Sequence, residues 1–568
     1  MVVFLLAVLV AAQEQITYAV ISVASNQDLA VRINGTVYPL TPSAESYILH
    51  KGEAPAASSY QYVKLKKGTT EVVEGENFER QVDRPIRGTT PNEFFGRNWN
   101  HRHVETFPSL GWPTRYNRGP SDLHPEGEIP TIHVTGPQSA IDNLHSRYMQ
   151  DIDVQVNFTY ISSNKIRQFS DVKMKLGGRS SRQYTKLAYN LNLPKGQDFE
   201  GFRKLKIRTT GNDPSYMREK LAYDMVYAAG VPASQASYIR LFINDRAIGL
   251  FVLAEKYDST FLRTEFNGGN RPYDHGVLYR GEGTRHGRSS DLSYFGEDLN
   301  LYNDSGYSLE EDAELGPKGF VQLRDFTKFI DDQLQLQKQP DQDLNATVDI
   351  WEKRLDVETF IINMALEFLN GFWDGYLQNK NNYYLYQDPQ QSRFIWMDWD
   401  LDFSMGSGPV NMGMIREGDY KKFAGVDSKP LMVAVLNIPH YRQLFEQRLR
   451  TILNELYDKS DPVIDSLAEF LREDIAWDQS LPRVRPGLSF LPGGKDILAN
   501  LFHGNASDGE AASLPLAFDL LTAIDFIARV NKKIPFDNAI NGPTGFRSLY
   551  GVKEWIRVKS AAVKASLQ

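Results

Sequence analysis

The sequence predicts a two-lobed α+β protein with a small β-sandwich in front, and three observations carry that expectation. Residues 13–260 are dominated by short apolar runs broken by Gly, Asn, Asp and Pro, the pattern of antiparallel strands. Helical spacing takes over from about residue 319. Strands first and helices afterwards give an α+β architecture in which the two kinds of element segregate. The 568 residues are too many for one ordinary core, and 41% hydrophobic with 24% charged residues is a globular composition.

In chain order, residues 2–12 form an uninterrupted apolar run ending in small residues. It is too short to span a membrane, so residues 1–12 are expected to be a signal peptide with Gln13 as the mature start. Residues 561–568 carry no apolar tail, so no lipid anchor is expected. Residues 13–95 predict the sandwich: runs 29–33 and 36–38 flank Asn34-Gly35, a hairpin signal. Residues 96–130, rich in Pro, Arg, Asn and Gly, read as a linker. Residues 131–260 predict a β-rich lobe, with strands near 132–134, 154–160, 172–176, 189–193, 205–208, 238–243 and 248–254. Its one helix is expected to start at Asp213 with Pro214 in the first turn, to bury Met217, Leu221 and Met225, and to close at Gly230. Residues 261–318 read as an insertion and 319–568 as a mainly helical lobe.

Composition also excludes. A net charge of −8 without a long basic run gives no reason to bind nucleic acid. The absence of cysteine removes thiol nucleophiles and Cys-based zinc sites. His101 and His103 have no metal-ligand spacing, and no Gly-x-Ser-x-Gly elbow occurs. Sequons at Asn34, Asn157, Asn303, Asn345 and Asn505 agree with a secretory route.

The chemistry concentrates in residues 372–402. Asp374 precedes the run Asn379-Lys380-Asn381-Asn382; an aromatic strand, a turn at Asp388-Pro389 and a second apolar run then deliver Asp398-Trp399-Asp400-Leu401-Asp402. A hairpin brings both acidic groups and the asparagines to one end. Crowded carboxylates in apolar sequence repel unless a cation sits among them, and oxygen ligands of this kind suit Mg²⁺. Protein kinases combine an Asp, an Asn a few residues on, a hairpin and a metal-binding Asp in this way. Upstream, Gly177-Gly178-Arg179-Ser180-Ser181 is either a tight turn or a loop whose amides, with Arg179 and Ser181, line a phosphate. Lys186 follows it, and Glu219 is its candidate carboxylate partner; the alternative is that both are solvated surface charges.

These residues, with segments 206–221, 238–251, 373–376, 397–406 and 476–480, resemble the spore coat protein H (CotH) kinase family, particularly its fungal cell-surface members. The similarity spans roughly residues 130–490. It implies an atypical protein-kinase-like two-lobed fold, ATP with Mg²⁺ or Mn²⁺ as cofactors, and coat or extracellular proteins as substrates. By the same resemblance Lys186 is the nucleotide lysine, Glu219 its partner, Glu255 a nucleotide contact and Asp374 the catalytic aspartate. Asn382 and Asp400 are the implied metal ligands, with Asp398 and Asp402 sharing the metal. Two departures stand out: Phe403-Ser404 replace the usual Gly-Thr pair, and the step from Asp374 to Asn382 is longer than in ordinary kinases.

Two rival expectations remain. Some fungal relatives act as host-binding invasins, so a catalytically silent adhesin that binds a host-cell receptor is one. The other is a phosphatase or phosphotransferase that uses an aspartyl nucleophile within Asp398-Trp399-Asp400.

Overall fold

The computed structural model describes residues 14–23, 26–82, 86–112, 116–178, 180–485, 515–530 and 532–567. The expected signal peptide, Arg179 and Asn505 lie outside these residues. The front sheet is built from β1 (Gln15–Ile21), β2 (Gln27–Ile33), β3 (Thr36–Pro42), β4 (Leu49–Pro55) and β5 (Ser59–Lys66), with short strands β6 (Val72–Gly75), β7 (Arg80–Gln81) and β8 (Glu93–Phe94). Its order is β6-β5-β2-β3-β4-β1-β8, with β7 on β5. Asn34 and Gly35 both take positive φ (49° and 82°), the requirement of the tight hairpin their sequence signals. Strand β3 pairs with β2 over Thr36 to Leu40 and with β4 at Thr41 and Pro42. One continuous sheet therefore folds over a core of Tyr18, Val20, Leu29, Val31 and Tyr62, where two separate sheets were expected.

A closed barrel follows, made of β9 (Thr131–Thr135), β10 (Val154–Ile161), β11 (Ile166–Leu176), β12 (Tyr189–Asn192), β13 (Lys204–Arg208), β14 (Ala236–Ile243) and β15 (Arg246–Glu255). The order is β10-β11-β12-β13-β15-β14-β9, closed by antiparallel pairing of β9 with β10. Leu205 and Ile207 join the barrel core, so the period of two turns Lys204, Lys206 and Arg208 to the outer face. The helix between β13 and β14 runs Arg218–Ala228, starting later than its sequence suggests. The Asp213 carboxylate instead closes a turn, accepting from the backbone N–H of Ser215 (3.0 Å) and Arg218 (2.9 Å), and Tyr216 at φ 61° breaks the helical path. Met217, Leu221 and Met225 are buried and Gly230 (φ 69°) follows the helix, as expected.

The remaining sheet combines β16 (Leu278–Glu282), β19 (Tyr307–Glu311), β20 (Asn381–Asp388) and β21 (Arg393–Asp398) in the order β19-β16-β20-β21, with β17 (Thr284–Arg285) and β18 (Arg288–Ser289) as a separate ribbon. The stretch read as an insertion thus supplies two strands to the sheet that holds the acidic hairpin. Helices Val321–Leu336, Val357–Asn370, Pro439–Ile452, Ser460–Ser480 and Val552–Ser566 surround it over one apolar core. The described residues of 96–130 form no helix or strand, but they are pinned at several points. Arg97 holds Asp474 (3.3 Å), Trp99 packs on Phe470, and Arg118 bridges Glu255 and Glu265. Trp477 packs on both Phe94 and Phe242, joining front sheet, barrel and helices. No described helix is long and apolar enough to cross a membrane. The four described sequon asparagines, Asn34, Asn157, Asn303 and Asn345, are all exposed.

Candidate functional site

Helix Val357–Asn370 begins at Asp356, whose carboxylate accepts from the N–H of Thr359 (3.1 Å), and stops at left-handed Gly371 (φ 56°). Asp374 follows, ahead of the single-turn helix Tyr376–Asn379. Lys380 and Asn382 take positive φ (55° and 56°), a strained path that folds the chain back around the aspartate. Three side-chain amides then close on one carboxylate. Asp374 Oδ1 accepts from Asn379 (2.5 Å) and Asn381 (3.3 Å), and Oδ2 accepts from Asn382 (2.9 Å). Burial pushes the Asp374 carboxyl up to about 7; the amides oppose that rise and the nearby Asp400 adds to it.

Trp399 donates its backbone N–H to Asn382 O (2.9 Å), tying the end of β21 to the same turn. Asp400 sits in the left-handed region (φ 57°) and its N–H donates to the Tyr223 hydroxyl (3.1 Å). Both Asp400 oxygens accept from the Arg208 guanidinium, one of them from Nη1 at 3.1 Å. Arg208 also grips Glu219 (2.9 and 3.2 Å) and lies 3.7 Å from Asp402, which accepts from Asn212 (3.0 Å). Burial works against the Asp400 charge, yet Arg208, Lys206 and Arg280 together hold this carboxyl below its ordinary range. Its neighbours go the other way. Burial and then Asp400 raise Asp402 well above its ordinary value, and burial lifts Glu219 to about 7 against the pull of Arg208.

Several sequence expectations need correction. Lys186 does not pair with Glu219. It is buried against Asp478 (2.7 Å), the Leu250 carbonyl and the Thr210 hydroxyl (3.3 Å), while register on β13 gives Glu219 to Arg208. Glu255 is fully buried in the ion knot with Arg118, so it faces no nucleotide. Asp398 does not share a ligand position with Asp400. Its Oδ1 accepts from the Trp396 indole (2.7 Å), and its carboxyl, raised to about 7 by burial, neighbours Glu367. A buried acid of this kind is also ill placed as a nucleophile. Ser181 lies in the tight turn: the Gly177 N–H donates to Ala188 O (2.8 Å), and a side chain at Gly178 (φ 70°) would collide with Ser181 Oγ.

The donor set of two carboxylates, Asp374 and Asp400, and the Asn382 amide has the chemistry Mg²⁺ requires. Among the described residues no three acidic or imidazole groups meet closely enough to hold a metal, and Arg208 occupies Asp400. What converges is a clamped, proton-hungry Asp374, a strand-end Asp400, and a cationic face formed by Lys206, Arg208 and Arg280. Sequence reasoning passed over Lys206, Arg208, Tyr223 and Asp478. The alternation Lys204-Leu205-Lys206-Ile207-Arg208 was the available signal for the first two, since it puts three cations on one face of a strand.

The chain belongs to the CotH kinase protein family, whose description matches residues 174–481, more than half its length. It is 27% identical over 507 residues to Invasin CotH3 of Rhizopus delemar, covering 85% of this chain and 80% of that protein. To Spore coat protein homolog 1 of the same fungus it is 26% identical over 518 residues, covering 87% and 78%. Inner spore coat protein H of Bacillus subtilis is 21% identical over 311 residues, covering 54% of this chain and 78% of that protein.

Proposed function

We propose that this chain is a secreted or cell-surface protein kinase. It would transfer the γ-phosphoryl group of ATP, carried in with Mg²⁺ or Mn²⁺, to a Ser or Thr hydroxyl of a coat or extracellular protein. In this reading the barrel and the helical region act as the two lobes of a kinase-like arrangement. The observation that carries it is Asp374: a carboxylate oriented by three amides, with its pKa lifted to about 7, is matched to accepting a hydroxyl proton near neutrality. As the hydroxyl oxygen bonds to the γ-phosphorus and ADP departs, Asp374 takes the released proton. Family membership supports the reaction class. Incubating the protein with γ-labelled ATP, an acceptor protein and each divalent ion tests it. Label should pass to the acceptor or to the chain itself, and Asp374→Asn should slow this by roughly 10²–10⁴-fold. No transfer under any ion would end the reading.

A second reading has its own support, because a relative named as an invasin matches 85% of this chain. A surface adhesin that binds a host-cell receptor needs no base. Attachment to host cells by wild type and Asp374→Asn alike, together with no phosphoryl transfer by wild type, would favour it over the kinase.

A further inference from the structure

Gly375 stands between Asp374 and the single-turn helix Tyr376–Asn379, and its own conformation does not call for glycine. The backbone there is extended (φ −87°, ψ −162°), a shape open to other residues. What excludes a side chain is a neighbour. A Cβ at this position would lie 2.7 Å from both Cδ and Oε1 of Glu367. Glu367 comes from helix Val357–Asn370 and is 2% exposed, and its Oε1 accepts from the Leu377 N–H (2.7 Å). Gly375 occupies the N-cap position and has no side chain to satisfy the first N–H groups of the turn, so a carboxyl from another helix does so. Among the described residues, Oε2 of Glu367 has no hydrogen-bond partner.

The Gly375 carbonyl accepts in turn from the backbone N–H of both Asn379 (3.1 Å) and Asn381 (3.2 Å). The side-chain amides of the same two residues hold Asp374 Oδ1. An unbroken path of hydrogen bonds and close packing therefore runs from Glu367, through the turn at Gly375 and Leu377, to the amides that orient Asp374. We infer that Glu367 is a positioning residue for Asp374: by fixing that turn it sets where Asn379 and Asn381 present their amides. This role rests on the phosphoryl-transfer reading and adds to it a residue that acts only through others. The position requires an acceptor oxygen, because without one the Leu377 N–H is buried and unpaired.

Steady-state phosphoryl transfer from ATP to an acceptor protein, measured on the full chain, tests this. Glu367→Gln keeps an oxygen for the Leu377 N–H and should retain kcat within about threefold of wild type. Glu367→Met keeps the volume and loses the acceptor; it should lower kcat by about 10–100-fold, the scale of a small misplacement, with KM for ATP within about twofold of wild type. Gly375→Ala, which pushes the carboxyl off the turn, should behave like Glu367→Met and carries the test if that variant does not fold. Backbone hydrogen exchange across residues 375–382 should be faster in Glu367→Met than in wild type or Glu367→Gln. A folded Glu367→Met as fast as wild type, or Glu367→Gln as slow as Glu367→Met, would overturn the assignment and leave the kinase reading standing. A wild type that transfers nothing would end both.

Discussion

Two lysines lie on the barrel, Lys186 just before β12 and Lys206 on β13, and they have opposite surroundings. Lys186 is 3% exposed and locked to Asp478, which also accepts from the Tyr216 hydroxyl (2.5 Å), the Leu250 N–H (2.9 Å) and Arg483 (3.0 Å). Lys206 rests on the Trp399 indole and makes no direct ion pair among the described residues, although the Asp400 charge acts on it. The first is part of a knot tying helix Ser460–Ser480 to the barrel; the second is steadied by an aromatic face. A lysine's role follows from its counter-ion, which sits far away in sequence, and not from a glycine-rich loop beside it.

Stability measurements can break this comparison. Asp478→Ala should cost the most, about 5 kcal/mol, because it strands Lys186, Tyr216 and a backbone N–H together. Lys186→Met should cost about 3 kcal/mol, the lower end for a broken buried pair, since Arg483 still answers Asp478. Lys206→Gln should cost least, about 0.5–1 kcal/mol, the worth of its cation–π contact with Trp399. Urea unfolding ranks all three. A Lys186→Met protein as stable as wild type would show that the Asp478 knot contributes little to the fold.

The hairpin end offers a smaller contrast that sharpens the same point. Asp400 faces Arg208, which helps hold it below its ordinary range, whereas burial lifts Asp398, a neighbour of Glu367, to about 7. A carboxyl whose folded pKa exceeds its unfolded value contributes stability that is fully present below about pH 4 and is lost as pH rises through about 7. Wild type should therefore lose stability between these limits. Asp398→Asn, which keeps an acceptor for the Trp396 indole but cannot ionise, should flatten that loss by about 1–2 kcal/mol. Urea midpoints taken across the pH range check it, and an identical slope in both proteins would show that Asp398 ionises freely.

Much of the scaffold was legible because it depends on local signals. Alternation marked the barrel strands, Asn34-Gly35 marked its turn, and the apolar runs around Asp388-Pro389 marked the β20–β21 hairpin. The meeting of Asp374 with its asparagines was legible for the same reason, since all four lie within nine residues. The ion pairs were not. Glu219 meets Arg208, and Lys186 meets Asp478, only after the barrel closes and a helix from far along the chain docks on it. The start of helix Arg218–Ala228 was misplaced because Asp213 caps a turn as readily as a helix, and left-handed Tyr216 decides between them. The span 261–318 hid its strands because β16 gains its identity from pairing with β20, about a hundred residues later.

The most direct test of the central claim is the pH profile of phosphoryl transfer. With Asp374 as the proton acceptor at a pKa of about 7, the wild-type rate should climb through neutrality and level off above it, as the carboxyl loses its proton. Asp374→Asn should be slower by roughly 10²–10⁴-fold and show no such rise. A wild-type profile flat through neutrality, or an Asp374→Asn protein as fast as wild type, would contradict the account.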